Sequence, residues 1–557
     1  MHKLSAVLRS LFLSSWHPFA SFAVIGFLVY GQALFFGFSY LDDHVLILEH
    51  LGDLTDFSRM GQIFQADVFR LAGQSESYYR PLLILSFMVN AFVGGAHPWG
   101  YHFVNIMIHV IAAGLVFALL LRMGFDRVKA FCLSLLFLIH PALTQAVAWI
   151  PGRNDSLLAV FILSSFLFFI HYVKTFRARD YWGHLVFFLC ALLTKESAVV
   201  LPLMLGSYYF LVQKEKFLDF PLKVSVGWLG CFCFWFVLRM RVIHTDALLL
   251  RDGIASIATN SPAVLLYLGK VFFPFNLCVF PILPDSHFWY GALSAITIAA
   301  LIVFSKEKNG RMLFFGFLWF FVFLVFALMR LAQKADSPDF LEHRLYVPMI
   351  GLIFVLAELK PFSFFAYRKV LMRFVFVTVF CVFLVMNVTY VQHFKDRVLF
   401  WQNAVHCSPH SAFAHGNMGA MYFLEGKEEA AVYEYAKALY LNPKQKMIYN
   451  NFGLIFMRQQ KWREAQKAFL KEIDINPRYA DAYYNFGLLC YRQGKKEQAR
   501  QLMQKALKIN PDFISAYEAL AVDFYQQGDE PKARYYFEEL KKRKVYVSKE
   551  MLDNLAL

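Results

Sequence analysis

Long apolar runs fill the first 390 positions, and from about 391 onward apolar residues recur at helical spacing among charges. A helix that crosses a membrane needs about 20 mainly apolar residues. Runs of this kind predict spans over 18–38, 97–121, 131–150, 154–173, 181–194, 197–213, 223–243, 287–304, 312–329, 344–359 and 370–390. That gives about eleven, with 181–194 and 344–359 the shortest. The first run starts at Pro18 and lacks a small-residue cleavage site, so it reads as a span and not as a signal peptide. Two further stretches, 81–95 and 262–280, read as interfacial or re-entrant; the second contains Pro262, Lys270, Pro274 and Asn276. Non-helical backbone at that depth is tolerated only beside protein or a wet cavity, so both are expected to line a site.

The remainder of the chain repeats. Pro409, Pro443, Pro477 and Pro511 are each 34 apart, and so are Gly419, Gly453 and Gly487, and Ala431, Ala465, Ala499 and Ala533. This is the tetratricopeptide period: two helices per unit, a small residue where they meet, Pro at the turn to the next. Tyr422, Phe456, Phe469 and Phe537 fall on large packing positions. Three clear repeats are expected at 412–445, 446–479 and 480–513. A weaker fourth covers 514–547, with Ala521 in place of its Gly and Val545 where Pro would stand. Stacked helix pairs bury a shared core and leave a groove. Its expected occupant is a protein or peptide segment; a spacer or dimerisation module is the plainer alternative. The expected organisation is all-α: a polytopic membrane domain over 1–390, a linker or first helix over 391–411, repeats over 412–547 and a tail over 548–557.

Composition agrees. Hydrophobic residues make up 58% and charged residues 17%, with 63 Phe, which excludes a wholly soluble enzyme and a disordered chain. The net charge of +15 sits largely in short loops between apolar runs, which points to a membrane rather than to nucleic acid. Lys3 and Arg9; Arg122, Arg127 and Lys129; Lys174, Arg177 and Arg179; Lys214, Lys216 and Lys223; Lys306, Lys308 and Arg311; and Lys360, Arg368 and Lys369 recur on one side, the cytoplasmic one. The loop after Tyr40, the turn Pro151–Asp155, the segment 244–261 and the loop 330–343 then lie outside, and an odd span count puts the repeats with them. Cys132, Cys190, Cys231, Cys233, Cys278 and Cys381 lie in or beside apolar runs and read as small hydrophobes. A disulfide among Cys407 and Cys490 has no support in the spacing.

Ionisable groups near a bilayer are costly and mark candidate function. Asp42 and Asp43 follow the first span; such a pair suits a general base or a metal ligand, or an ordinary acidic loop. Arg80, Arg153, Lys195 and Arg344 gather at the expected outer ends of spans, where cations can hold a lipid-linked phosphate and stabilise it as a leaving group. Lys195-Glu196 also reads as a self-neutralising ion pair. His102, Asn105 and His109 share a helix face, a pattern of interhelical hydrogen bonding more than of metal binding. No inverted repeat supports a transporter. A membrane-anchored scaffold would need one or two spans, not eleven.

The sequence resembles the transmembrane and TPR-containing O-mannosyltransferases, membrane glycosyltransferases of the GT-C fold. The resemblance rests on Phe38-Ser39-Tyr40-Leu41-Asp42-Asp43, Phe64-Gln65-Ala66-Asp67-Val68-Phe69, Tyr79-Arg80-Pro81-Leu82 and His97-Pro98-Trp99-Gly100-Tyr101-His102 with Val104-Asn105. It continues through His140-Pro141, Gly152-Arg153-Asn154-Asp155, Lys195-Glu196 and Glu342-His343-Arg344-Leu345-Tyr346-Val347-Pro348, in that order. It implies a polyprenyl- or dolichyl-phosphate sugar donor, with mannose the implied sugar, and transfer with inversion on the non-cytoplasmic face. Asp42 or Asp43 is the implied base. Arg344, then Arg80, are the implied phosphate ligands, with Arg153 and Lys195 beside them. Asp67 is an implied helper, and Tyr79, His102, His140, Glu196, Glu342 and Tyr346 are supporting residues. The implied acceptor is a protein hydroxyl, with a lipid or envelope glycan as the alternative. The metal requirement and oligomeric state stay open. Fewer repeats than the animal members carry favour a bacterial cytoplasmic membrane over the endoplasmic reticulum.

Overall fold

The computed structural model describes residues 16–68, 78–215, 220–243, 247–305, 307–331, 338–360 and 368–542. Lys3, Arg9, Phe69, Lys216, Lys306, Val545 and the tail 548–557 lie outside the described residues. Among those described there is no strand, only an isolated bridge between Ile282 and Asp339. The chain divides into two units after Pro409.

The first unit is an apolar helical bundle. Its main helices are α1 (His17–Tyr30), α2 (Pro81–Gly94), α3 (Pro98–Arg122), α4 (Arg127–Leu138), α5 (Arg153–Thr175), α6 (Ala178–Thr194), α7 (Leu222–Val242), α8 (Ala263–Phe272), α9 (Trp289–Val303), α10 (Gly310–Leu328), α11 (Tyr346–Glu358), α12 (Arg368–Tyr390) and α13 (Arg397–Cys407). Six described helices are long and apolar enough to cross a membrane, and a seventh span forms if α4 and the bent continuation Pro141–Ala148 count as one. The chain is thus a multi-pass membrane protein. The expected count of eleven is not reached, because four of the apolar runs fold as helices too short to span alone: α6, Glu196–Val212, α9 and α11. Segment 244–261, expected on the outer side, contains the helix Ala247–Asn260.

The bend in the α4 span has a local cause. His140 breaks the helix before Pro141, which cannot donate to the ladder. The His140 ring then accepts from the Ala142 amide and donates to the Val271 carbonyl (2.9 Å), replacing the lost bonds.

Helix α11 joins two chemically different ends of the bundle. At its C-terminal end Lys129 donates to the Ala357 and Leu359 carbonyls (2.7 and 2.9 Å), Glu358 accepts from the Asn309 amide (2.7 Å), and Lys360 pairs with Glu307 (2.6 Å). Three of the basic loops therefore meet there. At its N-terminal end stand Glu342, His343 and Arg344.

Cys278 is disulfide-bonded to Cys407, with Cα atoms 6.0 Å apart. This corrects the reading of Cys278 as a hydrophobe. The chain leaves the apolar helix at Phe272, and the irregular segment that follows runs along α13, a pairing at a separation of 129 residues that spacing cannot reveal. The segment is tied there again by Val279 N to Asn403 Oδ1 (3.0 Å) and Ser408 Oγ to Phe280 O (2.7 Å).

Among the described residues the second unit has four helix pairs: Ala412–Leu424 with Glu428–Leu441, Ile448–Arg458 with Trp462–Ile475, Ala480–Arg492 with Lys496–Ile509, and Ile514–Gln526 with Glu530–Lys542. The repeated glycine is where two helices touch: a Cβ on Gly419 would stand 2.6 Å from the Tyr435 ring, and one on Gly453 2.5 Å from the Phe469 ring. Asn442 and Asn510 end their helices with side chains that accept from Lys444 N and Asp512 N (both 3.0 Å), and the following Pro stops the helix.

Candidate active site

The acidic loop is held in an unusual shape. Tyr40 and Asp42 both have left-handed backbone (φ +60° and +65°), rare for residues with a side chain. Several contacts over-determine it. Gly37 N donates to Lys395 O (2.8 Å), the Trp149 indole donates to Leu41 O (2.9 Å), and Tyr40 lies between His44 and the Arg397 guanidinium. Asp43 is the clamp. Its Oδ2 accepts from the Ser39 amide (2.7 Å) and hydroxyl (3.0 Å), and the side chain is buried, with no hydrogen bond to Oδ1 among the described residues. Burial pushes the Asp43 carboxyl up to about 6 despite those bonds. Asp42 is only half-buried. Backbone strain of this kind persists where surrounding structure enforces it and is common at functional sites.

Trp149 connects this loop to a basket of charges, its ring 5.1 Å from that of His343. Asp155, in the first turn of α5, receives Lys195 Nζ on both oxygens (2.8 and 2.7 Å) and lies 3.7 Å from His343 Nε2. Arg80 donates through Nε and Nη2 to Glu196 (3.1 Å each), which also accepts from the Tyr79 amide (3.2 Å). Arg344 pairs with Asp339 (2.5 Å) and donates to its carbonyl (2.6 Å); Arg330 bridges Asp339 (2.9 Å) and the Tyr78 hydroxyl (3.1 Å). Tyr78 stacks under Arg80, 4.3 Å from ring centre to guanidinium, which closes the ring of contacts. The side chains of Arg80, Lys195 and Arg344 stay 13–15% exposed.

Gln145 sets the histidine. Its amide nitrogen donates to Val279 O (2.8 Å), so its oxygen is the acceptor for the His343 amide (3.1 Å) and Nδ1 (3.2 Å). A proton therefore sits on Nδ1, and Nε2 faces Asp155 bare. Burial, then the charges of Arg344, Lys195, Arg80 and Arg330, hold His343 well below its usual range, hence neutral. Burial alone would raise the Asp339 carboxyl, but Arg330 and Arg344 outweigh it and keep it ionised. Gly152 makes the turn feasible, since a Cβ there would stand 2.5 Å from the Gln145 carbonyl.

Other expected residues lie elsewhere. Arg153 is fully buried and its nitrogens bond Asn105, Ser86, Asn90 and the Tyr101 carbonyl, over the Phe87 ring. These bonds pin α2, α3 and α5 together. Glu342 accepts from Lys270 (2.6 Å), the Cys278 amide (2.8 Å) and the Tyr390 hydroxyl (2.8 Å), with both charged side chains wholly buried. Tyr346 bonds His109 (2.6 Å), His102 is buried against Phe36, and His140 caps the bend. Tyr79 enters the basket by its amide and anchors Phe64 O with its hydroxyl (3.0 Å). Asp67 is half-buried where Val68 N bonds Tyr78 O (3.0 Å). Sequence reasoning missed Lys270 as an ion-pair partner and Gln145, Trp149, Arg330 and Asp339 altogether; Lys270, a lone cation in an apolar run, was the one with a visible signal. Among the described residues no three His, Cys, Asp or Glu side chains gather as a metal-ligand set.

An apolar cavity of about 300 Å³, lined in part by Leu268, Ile298, Ile302, Phe320 and Leu352, lies among α8, α9, α10 and α11. It carries no group for chemistry.

A tetratricopeptide repeat family model matches residues 450–513. "Protein O-mannosyl-transferase Tmtc1" of Drosophila melanogaster is 34% identical over 194 residues, 34% of this chain and 22% of that protein. "Protein O-mannosyl-transferase TMTC2" of Homo sapiens is 38% identical over 130 residues, 22% of this chain and 16% of that protein. The alignments thus span less than a quarter of these relatives' length. Among solved structures, "Functional Characterization of Pseudomonas Aeruginosa pilF" matches at 24% identity and a TM-score of 0.25, over 27% of this chain and 69% of that one.

Proposed function

We propose that this TMTC-like, tetratricopeptide-repeat-bearing membrane protein is an inverting glycosyltransferase that moves a sugar, mannose by analogy with its relatives, from a polyprenyl- or dolichyl-phosphate donor to a protein hydroxyl. The observation that carries the reading is the basket of Arg80, Lys195 and Arg344, partly open and joined through Trp149 to the strained acidic loop. Fixed cations at a developing phosphate charge are the main means of stabilising such a leaving group. Asp42 is the base: it is the half-buried member of the pair and stands on left-handed backbone, while Asp43 spends its carboxylate on Ser39. Its carboxylate takes the proton of the acceptor hydroxyl as that oxygen bonds the anomeric carbon. The bond from that carbon to the phosphate oxygen breaks, and the electron pair leaves with the phosphate. The donor's prenyl chain has apolar surface available, including the cavity beside Phe320. The repeats bind or present the polypeptide acceptor.

The reaction belongs on the non-cytoplasmic face. Two independent features support this. The basket and the cluster of Lys129, Lys360 and Arg311-bearing loops occupy opposite ends of α11, and basic loops stay cytoplasmic. The Cys278–Cys407 disulfide also belongs to an oxidising compartment.

The test is transfer from a synthetic polyprenyl-phosphoryl mannose to a protein acceptor by purified variants. Asp42→Asn is expected to lose about 10²–10⁴-fold in rate, the usual contribution of a positioned base, while still binding donor. Full transfer by Asp42→Asn would remove it as the base.

A further inference from the structure

We propose that Trp149 is a positioning residue: its indole N–H holds the strained turn that carries Asp42, and its ring sets that turn against the motif that carries Arg344. The inference rests on the reading of Asp42 as the base. Asp43 N donates to Leu41 O (2.9 Å) across Asp42, whose φ is +65°. A bond from the third residue back to the first, around a central residue of positive φ, is the rare and strained form of the γ-turn. The relaxed form makes the same bond with φ of about −75° at its centre, and it would carry the Asp42 side chain to the opposite side of the turn. The Leu41 carbonyl therefore closes the turn, and Trp149 Nε1 donates to that same oxygen (2.9 Å). A donor fixed from outside sets the direction of the carbonyl and, with it, which of the two turns the chain adopts.

Trp149 is itself held. Its side chain is buried, its amide donates to Gln145 O (3.2 Å), and its carbonyl accepts from Gly152 N (3.0 Å). Asn105 Nδ2 reaches the Val147 and Ile150 carbonyls on either side (3.1 and 3.3 Å), and Arg153 Nε donates to the Asn105 oxygen (2.6 Å). The buried Arg153 cluster thus supports the residue that supports Asp42. Gln145 precedes Trp149 by one helical turn and holds the His343 amide and ring (3.1 and 3.2 Å), while the Trp149 ring lies 5.1 Å from that of His343. Two side chains of one short segment therefore grip the acidic loop and the Arg344-bearing motif, and they fix the span between base and phosphate ligand.

The test uses the full-length protein in lipid nanodiscs, with polyprenyl-phosphoryl mannose as donor and a threonine-rich peptide as acceptor probe. Trp149→Phe removes the N–H. Incorporation of β-(3-benzothienyl)alanine at position 149 keeps the shape of the indole and also lacks the N–H, and it decides the matter if Trp149→Phe does not fold. Both variants are expected to lower kcat by roughly ten- to a hundredfold, as a displacement of about 1 Å at the reacting groups does, with donor Kd within about twofold of wild type. A second readout needs no transfer. In an Asp42→Cys background, modification of residue 42 by a water-soluble thiol reagent, followed on the peptide that contains it, is expected to change in rate by roughly tenfold or more once the N–H is lost. Unchanged kcat, or labelling unmoved in both variants, would overturn the positioning role and leave the donor reading standing. Rate and donor affinity lost in equal measure would overturn it too, since the indole would then hold the site as a whole. Wild type that does not bind the donor would overturn the donor reading itself, and the labelling alone would then decide whether Trp149 positions residue 42.

Discussion

Two groups of charges in the membrane unit lie close in sequence and differ in kind. Arg153 and the Lys270–Glu342 pair are sealed: wholly buried, and with bonds to protein on every side that a ligand would need. Arg80, Lys195 and Arg344 are paired too, yet each keeps some exposure and stands beside another cation. Asp155 and Arg153 are two residues apart, and Glu342 and Arg344 likewise. One short motif therefore contributes a residue to the scaffold and another to the site. What separates them is saturation: a buried charge whose partners are all internal holds the fold, and a clustered one with remaining access can exchange a partner for a ligand.

The largest expected effect breaks this comparison on the sealed side. Lys270→Met leaves Glu342 buried without its cation, and removal of one partner of such a pair costs about 3–5 kcal/mol. The expected outcome is loss of detergent-stable protein or a large drop in melting temperature, read by thermal unfolding. A variant as stable as wild type would show that the pair is not sealed.

On the open side the effect is smaller and moves to binding. Arg344→Ala removes a charge-assisted contact to phosphate worth about 1.5–3 kcal/mol, so donor affinity is expected to fall roughly ten- to a hundredfold. Asp339 retains Arg330 at 2.9 Å, so stability is expected to change by only about 1 kcal/mol. A large stability loss with donor affinity unchanged would move Arg344 to the sealed group.

Much of this was legible in the chain. The helical repeat follows from a 34-residue period, because each glycine must meet a large side chain of the next helix, as Gly453 meets Phe469. The apolar runs gave the helices, and the motif order gave Arg80, Lys195 and Arg344. The rest depends on long-range packing. Arg153 and Arg344 look alike as cations near helix ends; only the convergence of Asn90, Asn105 and Ser86 from two other helices closes one of them. The Cys278–Cys407 bond, the Gln145–His343 contact at a separation of 198 residues and the pairing of Lys270 with Glu342 leave no periodic trace. The span count failed because the runs at 181–194, 197–213, 287–304 and 344–359 fold as helices of 17 residues or fewer, whose ends are set by packing and not by apolar content.

Asp43 stands between the two groups and offers the finest test. It is buried like the sealed charges, yet one oxygen meets no hydrogen-bond partner among the described residues and burial raises its carboxyl to about 6. The sign follows from linkage. In the unfolded chain the group titrates near 3.8, so between about 4 and 6 the folded state holds more proton. This contribution to stability is fully present below the lower value and is lost as pH rises through 6. The loop geometry needs the opposite form, because only the carboxylate accepts from both the amide and the hydroxyl of Ser39 at full strength. Transfer is therefore expected to fall by roughly half between pH 7 and pH 6 and steeply below that, while resistance to unfolding from this group rises over the same interval. Rate and melting temperature moving in opposite directions on acidification, with the rate change absent in Asp43→Asn, would place Asp43 as a clamp that poises Asp42. Parallel loss of both would mean that it is one more sealed charge, and that the strain at Tyr40 and Asp42 is enforced from elsewhere.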